Sequence, residues 1–151
     1  MFKRILAAVD GSRPSQHALQ MASELAGQHK AELHILSVIS LLPAIVVEGF
    51  NPGYLPQYQE DLEKVIQQTL DKAAEDTRKT HPKLKVTTHL KEGRPAKQIM
   101  ETASEIDADL IVVGSRGTSG VLTWVLGSVT REVADSCTVP VLIAKDRSYC
   151  T

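Results

Sequence analysis

The stretch DADLIVVGSRG, residues 107–117, decides the fold. Residues 109–113 form the most apolar run in the chain, short enough for a strand, and Gly114 and Gly117 close it. A short apolar run bounded by turn residues reads as a buried strand, here a central one. Further glycines and hydroxyl side chains follow it, up to Gly127-Ser128-Val129-Thr130. That much bare backbone fits a tight turn, a phosphate cradle or a close subunit contact.

Moving outward, strands and helices alternate. KRILAAVD (3–10) is an apolar run closed by Asp10-Gly11-Ser12, a strand and a turn. Ala18, Leu19, Ala22, Leu25 and Ala26 recur at helical spacing from 14 to about 29, with Pro14 suited to the first turn. AELHILSVI (31–39) is a second strand. A helix over 58–80 carries Leu62, Ile66, Leu70, Ala73 and Thr77 on one side and stops before Pro82. KLKVTTHL (83–90) is a more polar strand, expected at an edge. A third helix opens at Arg94-Pro95 and turns Ile99, Met100 and Ala103 inward. A helix near 128–137 leads to a last strand, VPVLIAK (139–145). This alternation predicts βαβ units, a parallel sheet covered on both faces, and one doubly wound α/β domain over 1–151. Residues 40–57, with three prolines and two glycines, break the rhythm and read as a long loop. Residues 146–151 form a short tail.

Composition narrows the function. The 151 residues are 42% apolar and 23% charged, with a formal net charge of -1. The absence of a basic block argues against a nucleic-acid partner. No run reaches the ~20 apolar residues that span a bilayer. The opening MFKRILAAVDGS has too short an apolar core for a secretory signal and reads as a first strand. Two cysteines, Cys137 and Cys150, do not make a disulfide framework, and a cytoplasmic location is expected.

In parallel sheets, ligands bind beyond the carboxyl ends of the strands, where connections leave to opposite faces. Asp10-Gly11-Ser12 ends the first strand and Gly114-Ser115-Arg116-Gly117 the fourth. Were those strands neighbours, the two ends would flank one crevice. Glycines at 114 and 117 bring backbone N–H groups close to a ligand, and the helix opening at Gly127-Ser128-Val129-Thr130 is a natural anion site. The Ser128 and Thr130 hydroxyls would donate to phosphate oxygens or hold a hydrated metal ion. The lysine-bearing P-loop and the G-x-G-x-x-G dinucleotide fingerprint are both absent. The five histidines lie outside this motif: His34 in a strand, and His17, His29, His81 and His89 in or beside helices and loops. No cluster has metal-ligand spacing.

KRILAAVDGS, EGRPAKQIMETASEIDADLIVVGSRG and Gly114-x2-Gly117-x9-Gly127-Ser128, in that order, resemble the universal stress protein family along essentially the whole chain. The last matches the G-2x-G-9x-G-[ST] signature of its ATP-binding subgroup. The resemblance implies a Rossmann-like sheet in the order 3-2-1-4-5. It implies adenine beside Ala8, Asp10 and the Val38 backbone, with Asp10 reaching the ribose or a metal-bound water. Val113, Gly114, Arg116, Gly117, Gly127, Ser128, Val129 and Thr130 would surround the phosphates. ATP, with Mg²⁺ or Mn²⁺ held through its phosphates, is the expected cofactor. A homodimer through the last strand is expected, and an unidentified protein partner. Trp124 packs beside the phosphates or caps the core. The leading expectation is a stress-response regulator biased by its nucleotide. The rivals are a weak ATPase or autophosphorylating enzyme, a nucleotide-free dimeric scaffold, and the same site holding AMP or cyclic AMP.

Overall fold

The computed structural model of the chain describes residues 1–40, 55–116, 127–136 and 139–149. Five strands, β1 (Arg4–Ala8), β2 (Glu32–Ile39), β3 (Val86–Glu92), β4 (Leu110–Gly114) and β5 (Val141–Ala144), alternate with four helices, α1 (Arg13–His29), α2 (Leu55–Thr80), α3 (Pro95–Glu105) and α4 (Ser128–Asp135). All pairings are parallel, in the order β3-β2-β1-β4-β5. The doubly wound α/β fold and its strand order are therefore as expected, and β1 and β4 are neighbours, with Leu6 beside Ile111.

Side-chain alternation along the strands sends successive residues to opposite layers. Ile5, Ala7, Leu33, Ile35 and Val112 join Ala18, Ala22 and Ala26 of α1 and Leu70 and Ala74 of α2. Leu6, Leu36, Ile111 and Val113 join Ala96, Ile99 and Ala103 of α3 and Val133 of α4. Each large side chain buried in these layers contributes ~1.5–3 kcal/mol of transfer free energy. Because β1 feeds α1 on one face and β4 precedes α4 on the other, the chain reverses its winding between β1 and β4. That is where this topology opens a crevice.

Several boundaries differ from the sequence reading. α2 begins at Leu55 rather than 58. β3 starts later and runs on to Glu92, because the Leu84 N–H donates to the His81 carbonyl at 3.0 Å and turns the chain first. It lies at an edge, as its polarity indicates. β4 is buried throughout, but the middle position belongs to β1. Met100 is half-buried while Ile99 and Ala103 are buried. His89 sits within β3, as the strand read at 83–90 requires and not among the histidines in or beside helices and loops: its Nε2 lies 2.9 Å from Nδ1 of His34 on β2. Most of the 40–57 segment, together with Gly117, Trp124, Cys137 and Cys150, falls outside the described residues.

Candidate functional site

At the end of β1 the polar groups serve the start of α1. Asp10 Oδ1 accepts hydrogen bonds from both the N–H and the hydroxyl of Ser12. Ser12 is the N-cap of α1, accepting from the Ser15 N–H at 3.3 Å, while Ser15 Oγ accepts from the Asp10 N–H. Gly11 has φ +82°, a conformation that side chains disfavour. Asp10 thus shapes the turn, and it stays exposed beside the crevice.

The end of β4 is built from backbone. A Cβ on Gly114 would lie 2.7 Å from the Pro14 carbonyl carbon and 2.8 Å from its oxygen. The bare Cα there admits the first turn of α1 against β4. The Gly114 carbonyl accepts from Thr130 Oγ1 at 2.7 Å, and the Ser115 carbonyl from the Gly127 N–H at 2.9 Å. These two bonds fix the start of α4 beside the end of β4. The first intrahelical bond runs from the Arg131 N–H to the Gly127 carbonyl. The Ser128, Val129 and Thr130 N–H groups therefore have no intrahelical acceptor and point out of the helix start with its positive dipole end. Of the two hydroxyls, Thr130 is buried and donates to Gly114, whereas Ser128 is exposed.

Between the two strand ends lies a cavity of about 450 Å³. Ala8, Asp10 and Val38 line it from β1 and β2, Val113 and Gly114 from β4, and Gly127, Ser128, Val129 and Thr130 from the start of α4. Arg116 is not among the lining residues, and Gly117 lies outside the described residues. No group of three or more His, Cys, Asp or Glu side chains among the described residues is arranged to hold a metal ion. An open helix start and an exposed hydroxyl are suited to an anion.

The profile of the Universal stress protein family matches residues 1–145. The chain belongs to the universal stress protein family. It is 37% identical to universal stress protein YxiE of Bacillus subtilis, over 96% of this chain and all of that protein. It is 31% identical to universal stress protein MJ0531 of Methanocaldococcus jannaschii, over 96% of this chain and 83% of that one. Among solved structures, universal stress protein UspA of Lactobacillus plantarum shares the fold with a TM-score of 0.81 at 24% identity, covering 94% and 97% of the two chains. A universal stress protein solved in complex with cAMP has a TM-score of 0.66 at 28% identity, covering 95% and 97%.

In this family member the cavity has a wall that sequence reasoning did not assign to it. Leu62, Ile66 and Thr69 of α2 line it, as do Pro95 and Ile99 of α3. Leu62 and Ile66 lie on the same helical stripe as Leu70, so periodicity gives them to the core. The available signal was length: α2 has 26 residues, roughly 39 Å, against roughly 26 Å for the eight residues of β2. A helix that long overruns the strand it packs on.

Neither His34 nor His89 lines the cavity, although His89 pairs in register with Leu36, which does. Burial holds both imidazoles below the ordinary histidine value of 6.5. Glu32, 3.5 Å from His34 Nε2, pulls the other way and is outweighed. No helix among the described residues is long and apolar enough to cross a membrane.

Proposed function

We propose that the cavity binds an adenine nucleotide, with ATP and a phosphate-bound Mg²⁺ or Mn²⁺ as the leading ligand, and that the chain is a nucleotide-biased regulator. The observation that carries this is the convergence of Asp10, Gly114, Gly127 and Ser128 on one cavity at the β1/β4 reversal. Phosphates sit at the α4 start, met by its N–H groups and the Ser128 hydroxyl, while Ala8, Asp10 and the Val38 backbone surround the adenosine. Arg116, Gly117 and Thr130 complete the phosphate side, Thr130 by holding Gly114 and α4 together. Bound phosphates would order the 114–130 segment and alter the surface a partner protein reads. The chain acts as a homodimer through the last strand, which the sequence places between Val139 and Lys145 and which is β5, Val141–Ala144, at the sheet edge; an unpaired edge is a ready partner for its twin.

A second reading, AMP or cyclic AMP in place of ATP, draws support from the family member solved in complex with cAMP. Calorimetric titration of nucleotide-stripped protein with ATP, AMP and cyclic AMP, with and without Mg²⁺, separates them. ATP binding that strengthens with Mg²⁺ is the expected result. Binding of cyclic AMP alone selects the second reading, and heat from none of the three leaves a dimeric scaffold.

A further inference from the structure

We infer that the first half of α2 is the specificity wall of this site, with Ile66 and Leu62 selecting a ligand that joins a flat apolar base to its phosphates. The inference rests on the nucleotide reading above and deepens it. Three observations lead to it.

The first is the division of α2. Leu70, Ala74 and Thr77 are buried on the sheet, Leu70 and Ala74 being each 1% exposed. One turn earlier on the same stripe, Ile66 and Leu62 are half-buried and line the cavity. The apolar stripe thus continues past the carboxyl edge of the sheet, where no strand among the described residues covers it.

The second is the polarity gradient along the crevice. The strand order runs β2, β1, β4. At the β4 end stand Gly114, Gly127 and Ser128, with hydrogen-bonding groups and a helix dipole. At the β2 end the apolar Leu62, Ile66, Leu36, Pro95 and Ile99 predominate, beside the polar Ser40 and Ser37, whose hydroxyl donates to the Val9 carbonyl. The helix start draws a phosphate to the β4 end, and an aromatic base gains by leaving water against the apolar side chains of the other.

The third is the origin of the walls. Leu70 and Ala74 place α2 in one layer, and Ala96, Ile99 and Ala103 place α3 in the other. A base held between Ile66 and Ile99 therefore joins the two layers beyond the edge of the sheet. Thr69 continues the wall to the β1–α1 turn, its methyl lying 3.3 Å from where a Cβ on Gly11 would stand. Occupancy should register in α2 itself, the long helix that also exposes Tyr58 and Val65.

The test compares ATP with inorganic tripolyphosphate on the wild-type chain and on Ile66→Glu and Ile66→Ala, each first checked for a cooperative thermal transition. Wild type should bind both probes. Ile66→Glu should weaken ATP about tenfold or more while leaving tripolyphosphate within about twofold. Ile66→Ala should show a smaller loss in the same direction. Amide hydrogen exchange should slow over residues 58–70 with ATP and not with tripolyphosphate. Unchanged ATP affinity in Ile66→Glu, or an equal loss for both probes in the folded Ile66→Ala protein, overturns the specificity wall and leaves the nucleotide reading standing. A wild-type chain that binds tripolyphosphate but gains nothing from the base also overturns it. Failure of wild type to bind ATP at all removes the nucleotide reading, and this one with it.

Discussion

Leu70 and Ile66 stand one turn apart on the same face of α2, with similar apolar side chains, yet they belong to different parts of the molecule. Leu70 is sealed against the sheet; Ile66 looks into a cavity. The boundary between them is the carboxyl edge of the sheet. Below it an apolar residue stabilises the fold, and above it the same residue type lines a cavity. The helical period cannot mark this boundary, because it describes the helix and not what the helix lies against.

The largest expected effect breaks the lower half. Leu70→Ala removes a buried side chain at the centre of one layer, and denaturant unfolding should show a loss of about 2–5 kcal/mol. A loss under about 1 kcal/mol would mean that the two halves of α2 do not differ as described. Next comes the boundary itself. Gly114→Ala forces a Cβ to within 3.0 Å of Pro14 and Ser15 backbone atoms, which have no flexible side chain to move aside. A destabilisation of about 1–3 kcal/mol is expected from this overpacking. Nucleotide affinity should fall with it, because α1, β4 and the start of α4 meet at that residue. Wild-type stability in Gly114→Ala would show that α1 is free to move away.

Above the edge the expected stability effect is small. Ile66→Ala deletes a half-buried side chain that borders open space, and alanine is the better helix former. Its change in unfolding free energy should stay below about 1 kcal/mol. A loss matching that of Leu70→Ala would place Ile66 in the core and undo the comparison.

These contrasts show what was readable in the sequence. The sheet was, because LIVV at 110–113 and ILAA at 5–8 carry their burial in their own composition, and βαβ alternation restricts how such strands assemble. That the two strand ends flank one crevice was readable, because Asp10-Gly11-Ser12 and Gly114 stand where parallel strands stop. The purpose of each glycine was not. Gly114 answers to Pro14, a hundred positions away in sequence, a contact that no local pattern encodes. The α2 wall was hidden because Leu62 and Ile66 satisfy the same pattern as true core residues. His89 falls within the strand read at 83–90, but a polar residue near the end of a weakly alternating strand gives no local sign that it reaches across to His34.

That histidine pair supplies the smallest expected effect and a control on the comparison. His34 is near the start of β2, two residues before the cavity-lining Leu36, and neither histidine is itself a lining residue. Burial lowers both imidazoles from the ordinary 6.5. Arg4 and Lys85 around His34, and Lys91 beside His89, also oppose a positive charge; Glu32 and Glu105 favour one and are outweighed. The folded state therefore binds fewer protons than the unfolded chain just below pH 6.5. The pair's contribution is complete above about 6.5 and is lost as pH falls through the lowered folded values. Glu32, held down chiefly by Lys85, adds its own loss below its ordinary 4.5, so the histidine window lies between the two. Urea midpoints between pH 7.5 and pH 5 should fall in wild type and fall less in His89→Gln. Parallel profiles would mean that the pair carries no proton linkage. If the reading of the two halves of α2 is right, Ile66→Ala keeps the full wild-type slope, since the charge lost or gained at His34 and His89 lies on the opposite layer and short of the edge.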